Sequence, residues 1–130
     1  MAVNLSRGYP RFNPGEFTTV DSLARHEADA ALIIASDPAS NFPKGAIDYL
    51  KEIPVIVLDP KPTNTTQIAA VAFTTATYGI NTGGTVYRMD DVPITLRPAF
   101  PSPYPTDEEV LKAIKLRVRE LLKLPEGAIF

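Results

Sequence analysis

The sequence contains no cysteine and one histidine, His26. The absence of cysteine excludes disulfides, thiolate metal sites and cysteine nucleophiles, and a single histidine excludes a histidine-rich metal site. We expect His26 to be a surface residue near the C-terminus of a helix, without a chemical role. The chain also has no G-x-S-x-G, no P-loop and no G-x-G-x-x-G motif. The residues alone therefore argue against an independent enzyme.

Excess charge and long apolar runs are also missing. The net charge is −2 over 130 residues, so the chain carries no electrostatic footprint for nucleic acid or for an anionic membrane. No apolar run approaches the roughly 20 residues that a membrane-spanning helix needs, and no signal peptide is visible at the start. We therefore expect a cytoplasmic protein that binds neither nucleic acid nor membrane.

Proline and apolar residues are present in quantity. The chain has 13 prolines, and 45% of its residues are hydrophobic. An apolar content of this size is sufficient for a packed core and argues against disorder, while the prolines favour a rigid fold with many loops. We expect one domain over residues 1–130.

The spacing of apolar residues predicts alternating helices and strands. The first 12 residues are predicted to be extended; helices are predicted at about 14–27, 43–52 and 106–123, with a short one ending at Ala70; and strands are predicted at about 30–35, 54–58, 71–73, 85–88 and 92–96. The first two strands should be buried and parallel, joined by a right-handed crossover, and the last two should form a hairpin. This order predicts a three-layer α/β domain with a mainly parallel sheet, followed by a hairpin and a C-terminal helix.

The last helix has the clearest sequence signals. Residues 106–109 form a capping box, and Pro125 is expected to end the helix. A single apolar stripe is predicted along it, made of Leu111, Ile114, Val118, Leu121 and Leu122. We expect its basic side chains to be solvated.

Polar residues cluster where the first two strands end. They are Ser36, Asp37 and Pro38 after the first strand, and Asp59, Pro60, Thr63, Thr65 and Thr66 after the second. Ligands of open α/β sheets bind at this edge, where a carboxylate can hold ribose hydroxyls and threonines at a helix start can meet a phosphate. Asp-Pro also opens turns, so the alternative that Asp37 and Asp59 only cap or turn the chain stays open.

Four segments resemble, in this order, the C-terminal region of the B subunit of formylmethanofuran dehydrogenase, a molybdenum or tungsten enzyme of the molybdopterin oxidoreductase family. They are SRGYPRFNPGEF, AALIIASDPASNFP, IPVIVLDPKPTNTT and GTVYRMDDVPITLR. The resemblance implies a Rossmann-like domain that helps to bind one of two molybdopterin guanine dinucleotides. It also implies that the complete enzyme reduces CO2 and attaches the formyl group to methanofuran in methanogenic and related archaea.

The resemblance further implies that the cluster cysteines and the metal ligand lie in the remaining part of a longer polypeptide. No catalysis is then expected from this chain alone, and its partners would be that remaining part and other subunits; the isolated chain could form a homo-oligomer. The matching segments add Gly84, Thr85 and Arg88 to the cofactor-binding residues.

Departures from the family pattern at Ala69-Ala70, Thr74 and Gly83 favour an alternative. In that alternative the chain is a non-catalytic assembly module or a diverged relic that docks on other subunits. It predicts a large apolar surface that is left bare without those partners.

Overall fold

The computed structural model describes residues 3–123. The chain divides into two compact units, Met1–Ala72 and Phe73–Phe130. The strands are β1 Val3–Asn4, β2 Arg11–Phe12, β3 Ala31–Ile34, β4 Val55–Asp59, β5 Val71–Thr74, β6 Gly84–Tyr87 and β7 Pro93–Leu96; the helices are α1 Pro14–Phe17, α2 Thr19–Ala24, α3 Pro38–Asn41, α4 Lys44–Leu50, α5 Asn64–Ile68 and α6 Asp107–Leu122. None of these helices is both long enough and apolar enough to cross a membrane.

The first unit is built on a parallel pair of strands. β3 and β4 pair in parallel, with Ala31 opposite Val55 and Ile34 opposite Leu58. β5 lies beside β4, so the sheet order is β3-β4-β5, and the division between the two units falls within β5. The α/β class and the parallel pairing predicted from the sequence are therefore confirmed.

Helices cover one face of this sheet. Val55 and Val57 are fully buried and pack against Leu23 of α2 and against Ala46 and Leu50 of α4. Successive residues of a strand point to opposite faces, so Leu32 and Ile34 of β3 lie on the other face. Their exposed fractions are 53% and 40%, so the prediction that the first strand is buried on both faces was wrong.

The predicted helix at 14–27 is two shorter helices. Thr18 is extended (φ −67°, ψ 145°), and its side chain accepts a hydrogen bond from the Asp21 amide as the N-cap of α2. A threonine that caps a new helix interrupts the preceding one, because its own backbone leaves the helical region. α2 ends at Ala24, and His26 adopts a left-handed conformation with φ 57°. His26 stacks on Tyr49 with 4.0 Å between the ring centroids.

Three short elements were not predicted. β1 and β2 form an antiparallel pair within the segment that was expected to be merely extended. α3 is a single turn that begins with Pro38, directly after Asp37 as the N-cap. Proline is favoured in the first turn because a helix leaves that N–H without an internal partner.

The second unit contains the predicted hairpin. β6 and β7 are antiparallel, with Val86 opposite Ile94. Asp91 turns the chain with φ 60°, and the Arg88 amide donates to the Val92 carbonyl at 3.0 Å. Residues 98–105 contain no helix or strand, as their prolines predict.

The capping box of α6 is present as predicted. Thr106 caps the helix by accepting from the Glu109 amide at 3.2 Å, and the Thr106 amide and hydroxyl both donate to the Glu109 carboxylate. These bonds stabilise the charged carboxylate and lower the pKa of Glu109. Pro125, the predicted end of the helix, lies outside the described residues.

The predicted apolar stripe of α6 is only partly covered. Its members Leu111 and Ile114 are half-buried, while Val118, Leu121 and Leu122 are 37%, 66% and 59% exposed. The buried residues of the helix are Asp107 and Val110, which are not in the stripe. The stripe has the expected helical spacing, but periodicity alone does not determine what covers a face.

Candidate functional site

Two loops at the carboxyl ends of β3 and β4 are joined by a partly buried hydrogen-bond network. Oδ1 of Asp37 accepts from the Thr65 hydroxyl at 2.6 Å and from the Thr65 amide at 2.9 Å. The Thr65 hydroxyl in turn accepts from the Ala39 amide at 3.0 Å, and the Thr65 residue is fully buried. One threonine hydroxyl therefore serves both loops, as donor to one group and acceptor from another.

The second oxygen of Asp37 extends the network to the surface. Oδ2 accepts from the Ser40 hydroxyl at 2.6 Å, and Ser40 Oγ accepts from the side-chain amide of Asn64 at 2.9 Å. The hydroxyl bonds from Ser40 and Thr65, with the Thr65 amide, favour the charged carboxylate and lower the pKa of Asp37. Asp37 therefore keeps its negative charge to lower pH than an ordinary aspartate does.

The sequence did not reveal Ser40 and Asn64 as members of this network. The Asp37–Ser40 contact has a local signal, since an acid at the N-cap and a hydroxyl three residues later resemble a capping arrangement. The Asn64–Ser40 contact joins residues 24 positions apart, and no local pattern encodes it.

Asp59 ends β4 and is 6% exposed. Its Oδ1 accepts from the Lys61 amide at 3.0 Å, which fixes the turn through Pro60. An ionised carboxylate offers about four acceptor positions, and this bond uses one of them. Asp59 therefore has a structural role in the turn and retains capacity for further donors.

The threonines at the start of α5 satisfy one another. The Thr63 hydroxyl accepts from the Thr66 amide at 3.2 Å, and the Thr66 hydroxyl accepts from the Thr63 amide at 2.8 Å. This reciprocal pair is a capping box. Together with the Thr65 amide, which is bonded to Asp37, these amides are already engaged within the protein.

Ser36 is an exposed polar residue of the edge. It follows Ala35, which has a left-handed backbone with φ 48° and turns the chain away from β3. Among the described residues no hydrogen bond uses the Ser36 hydroxyl, so that group is available to a ligand. Pro38 is buried and begins α3.

The remaining predicted residues lie in the second unit. Gly84 and Thr85 are in β6, where Gly84 has φ 148° and Thr85 pairs with Thr95. Arg88 follows the strand, and its guanidinium forms two hydrogen bonds to Asp90, at 3.0 and 2.6 Å. These three residues belong to one hairpin.

The hydrogen bonds already formed at the loop edge of the first unit determine which ligand groups it can bind. The edge has two carboxylates with unused acceptor positions, Asp37 within the network and Asp59 in the turn after β4, and no hydrogen bond joins Asp59 to the network among the described residues. The amides of Thr63, Thr65 and Thr66 and the threonine hydroxyls are engaged within the protein. The edge therefore suits a group that donates hydrogen bonds, such as a ribose diol or the N–H groups of a purine, better than it suits a phosphate. Among the described residues no group of three or more His, Cys, Asp or Glu side chains could hold a metal ion.

By fold and site the chain is an α/β protein whose first unit has a cluster of polar side chains at the carboxyl ends of two parallel strands. It is similar to the B subunit of tungsten-containing formylmethanofuran dehydrogenase 2 from Methanocaldococcus jannaschii, with 46% identity over 122 residues and 92% of this chain. The corresponding protein from Methanococcus maripaludis is 38% identical over 121 residues, again 92% of this chain. The chain is therefore homologous to a segment of the formylmethanofuran dehydrogenase B subunit, and the resemblance predicted from its motifs is confirmed.

This chain spans 28% of the length of each of these relatives. A solved structure is also similar, namely the formyltransferase/hydrolase complex FhcABCD from Methylorubrum extorquens in complex with methylofuran. One of its chains matches with a TM-score of 0.68 and 27% identity, over 91% of this chain and 33% of that chain. No protein-family model matches the sequence.

Proposed function

We propose that this chain is a module of the B subunit in a formylmethanofuran dehydrogenase complex, with the rest of that polypeptide and the other subunits as partners. The observation that carries this proposal is the 46% identity to a tungsten-containing relative over 92% of the chain. The complete enzyme would reduce CO2 and attach the formyl group to methanofuran. In the assembled complex this sheet would be part of a three-layer, Rossmann-like domain. The cytoplasmic location expected from the sequence stays a prediction.

Within that complex, the loop edge would contribute to binding a molybdopterin guanine dinucleotide. Asp59 and Asp37 fit the nucleoside end, because a carboxylate accepts from ribose hydroxyls or from guanine N–H groups. The Ser36 hydroxyl can also donate a hydrogen bond to the nucleoside or accept one from it. The amides at the start of α5 are engaged internally, so the diphosphate would be met by other groups. The metal and pterin would supply the redox chemistry, while the residues of this edge would bind and orient the nucleoside.

The role of Gly84, Thr85 and Arg88 belongs to the same proposal and rests on the motif resemblance. Arg88 already forms an ion pair with Asp90, and both side chains are more than half exposed. A guanidinium in an exposed pair can exchange its partner at small cost, so it could meet an anionic group of the cofactor.

Purification of the native assembly through a tag on this chain tests the proposal as a whole. We expect the other subunits of a formylmethanofuran dehydrogenase to copurify in fixed proportion, together with a guanine dinucleotide detected as GMP after acid release. Recovery of the chain without any of those subunits would contradict the proposed membership of the complex.

The nucleoside contact can be tested on the full chain by calorimetric titration with GMP. Asp59→Asn keeps the oxygen that accepts from Lys61 but removes the charge, so we expect the Kd to rise by about tenfold or more, which corresponds to about 1.4 kcal/mol. Asp48→Asn removes a charge from the exposed surface of α4 and should leave the Kd unchanged. Equal affinities for the wild type and Asp59→Asn would contradict the assigned role of Asp59.

A second candidate function is a non-catalytic assembly module. The similarity to a chain of a formyltransferase/hydrolase complex favours this candidate, because the name of that complex mentions formyl transfer and hydrolysis but no dehydrogenase. The same fold can thus serve an assembly whose named chemistry is formyl transfer and hydrolysis. The native complex distinguishes the two candidates: an intact assembly that releases no guanine nucleotide supports the module without cofactor.

A further inference from the structure

β3 forms one edge of its sheet. It pairs with β4 on one side, and no strand among residues 3–123 pairs with it on the other. The Ala31 amide donates to Pro54 O and the Ala35 amide to Leu58 O, both at 2.9 Å. Backbone groups of a strand alternate in direction, so the N–H and C=O of Leu32 and Ile34 point to the free edge.

This edge lacks the features that protect a strand from further pairing. Natural edge strands carry lysine, proline or a bulge to prevent added strands. The sequence of β3 is ALII, which has no charge and no proline, and its Leu32 and Ile34 side chains are 53% and 40% exposed. An apolar, unprotected edge of this kind is a template for another strand.

A cavity beside the same strand offers a place for a side chain. It has a volume of about 190 Å³, and its walls come from α2, from residues 30–33 and from α4. Ser22, Ala30, Leu23 and Phe42 are among its lining residues, and most of the lining is apolar. An apolar cavity of about 150 Å³ in another protein stays dry and accepts benzene, so a single large side chain would fit here.

Resting on the proposed function, we propose that the free edge of β3 receives a β-strand from the remaining part of the B subunit polypeptide. A strand that adds to an edge gains main-chain hydrogen bonds, and a pocket beside the edge selects its side chains. The relatives contain a source for such a strand. This chain spans only 28% of their length, so most of their polypeptide lies outside the aligned segment. An apolar side chain of the added strand fills the cavity beside Ala30.

Photo-crosslinking in the native assembly tests this docking. The full chain would carry a tag and a photo-reactive amino acid at position 32, and crosslinked peptides would be sequenced by mass spectrometry. We expect them to come from a polypeptide whose sequence matches the relatives outside the aligned segment. The same photo-reactive residue at position 5, where Leu5 is 65% exposed in the same unit, should give less than a tenth of that product.

A charge at the edge gives a second measurement. With this chain and the remaining part of the B subunit produced as two separate polypeptides, Leu32→Lys should reduce their copurification by at least about tenfold, while Leu5→Lys should leave it unchanged. Circular dichroism and the urea midpoint of the purified variants establish that both fold. The crosslinking result does not depend on the folding of either lysine variant.

The outcomes separate this inference from the proposed function. A crosslink at position 32 to a second copy of this chain, or to a different subunit, overturns the strand addition. An assembly that contains formylmethanofuran dehydrogenase subunits but gives no crosslink at position 32 also overturns it, and leaves the proposed function standing. Purification without any of those subunits contradicts the proposed function itself.

Discussion

The hydroxyl of Thr65 donates to the carboxylate of Asp37 over 2.6 Å, although the two residues are 28 positions apart in the sequence. The contact ties the loop after β3 to the start of α5. Both loops are therefore held in place by the protein itself. A ligand that binds to this edge would not have to order them, which lowers the entropic cost of binding.

Removal of the Thr65 hydroxyl should destabilise the protein. Thr65→Val keeps the shape of the fully buried side chain but leaves the half-buried Ala39 amide and one oxygen of Asp37 without this hydroxyl partner. We expect the free energy of unfolding to fall by about 1–3 kcal/mol, measured by urea denaturation. Thr95→Val, an exposed position in β7, should change it by less than about 0.5 kcal/mol. Equal effects of the two variants would show that the hydrogen bonds of the Thr65 hydroxyl do not contribute to stability.

The lowered pKa of Asp37 predicts a pH dependence. Unfolding returns the carboxyl to its ordinary value of about 3.9, so the folded state binds fewer protons than the unfolded state. The stabilisation is complete above that ordinary value and is lost as the pH falls through the lower pKa of the folded protein. We expect the stability difference between the wild type and Asp37→Asn to be constant from pH 7 to about pH 5 and to shrink below about pH 4.

The carboxyl chemical shift of Asp37, followed by NMR, measures the same shift directly. Ser40→Ala removes one of the hydroxyl donors and should raise the pKa of Asp37 toward its ordinary value. A pKa that is unchanged in this variant would mean that the Ser40 hydrogen bond is not a cause of the shift.

Ala35 should respond to substitution through its backbone. A left-handed conformation costs a non-glycine residue about 1–2 kcal/mol, and a β-branched residue more. We expect Ala35→Gly to raise the free energy of unfolding by up to about 1 kcal/mol and Ala35→Val to lower it by about 1–2 kcal/mol. Ala70, also exposed, is not among the described residues with positive φ, so Ala70→Gly should lower stability instead. Destabilisation by both glycine variants would contradict the left-handed assignment.

The N-cap of α6 gives a prediction for the second unit. Thr106→Ala removes the hydroxyl that accepts from the Glu109 amide and should cost about 0.5–2 kcal/mol of stability. Thr106→Ser retains the hydroxyl and should behave like the wild type. The helical signal in circular dichroism and the urea midpoint both report the effect. A loss in Thr106→Ser as large as that in Thr106→Ala would assign the effect to the threonine methyl group.

The elements that could be predicted from the sequence are those with local signals. The capping box of α6 and the hairpin around Asp91 depend on residues close in sequence. The parallel pair β3–β4 joins residues 24 positions apart, and it was predicted from two apolar runs separated by a connection long enough for a crossover. The break at Thr18 was missed because threonine fits a helical pattern and also caps a new helix. The exposure of Leu32 could not be foreseen, because burial depends on what covers a face and not on the apolar character of the strand. For the site, the predicted ends of the first two strands indicated the positions of Asp37 and Asp59. Only the folded chain shows that Asp37 forms hydrogen bonds with Thr65 and Ser40.

Ser36 lies outside the network that fixes its own loop, and this separation has an evolutionary consequence. Substitutions at Ser36 would alter the polar surface of the edge without disturbing the bonds between Asp37 and Thr65. Under the proposed function, ligand specificity at this edge would diverge among homologues while the fold is retained. Such independence is consistent with one fold occurring both in a tungsten-containing dehydrogenase and in a formyltransferase/hydrolase complex.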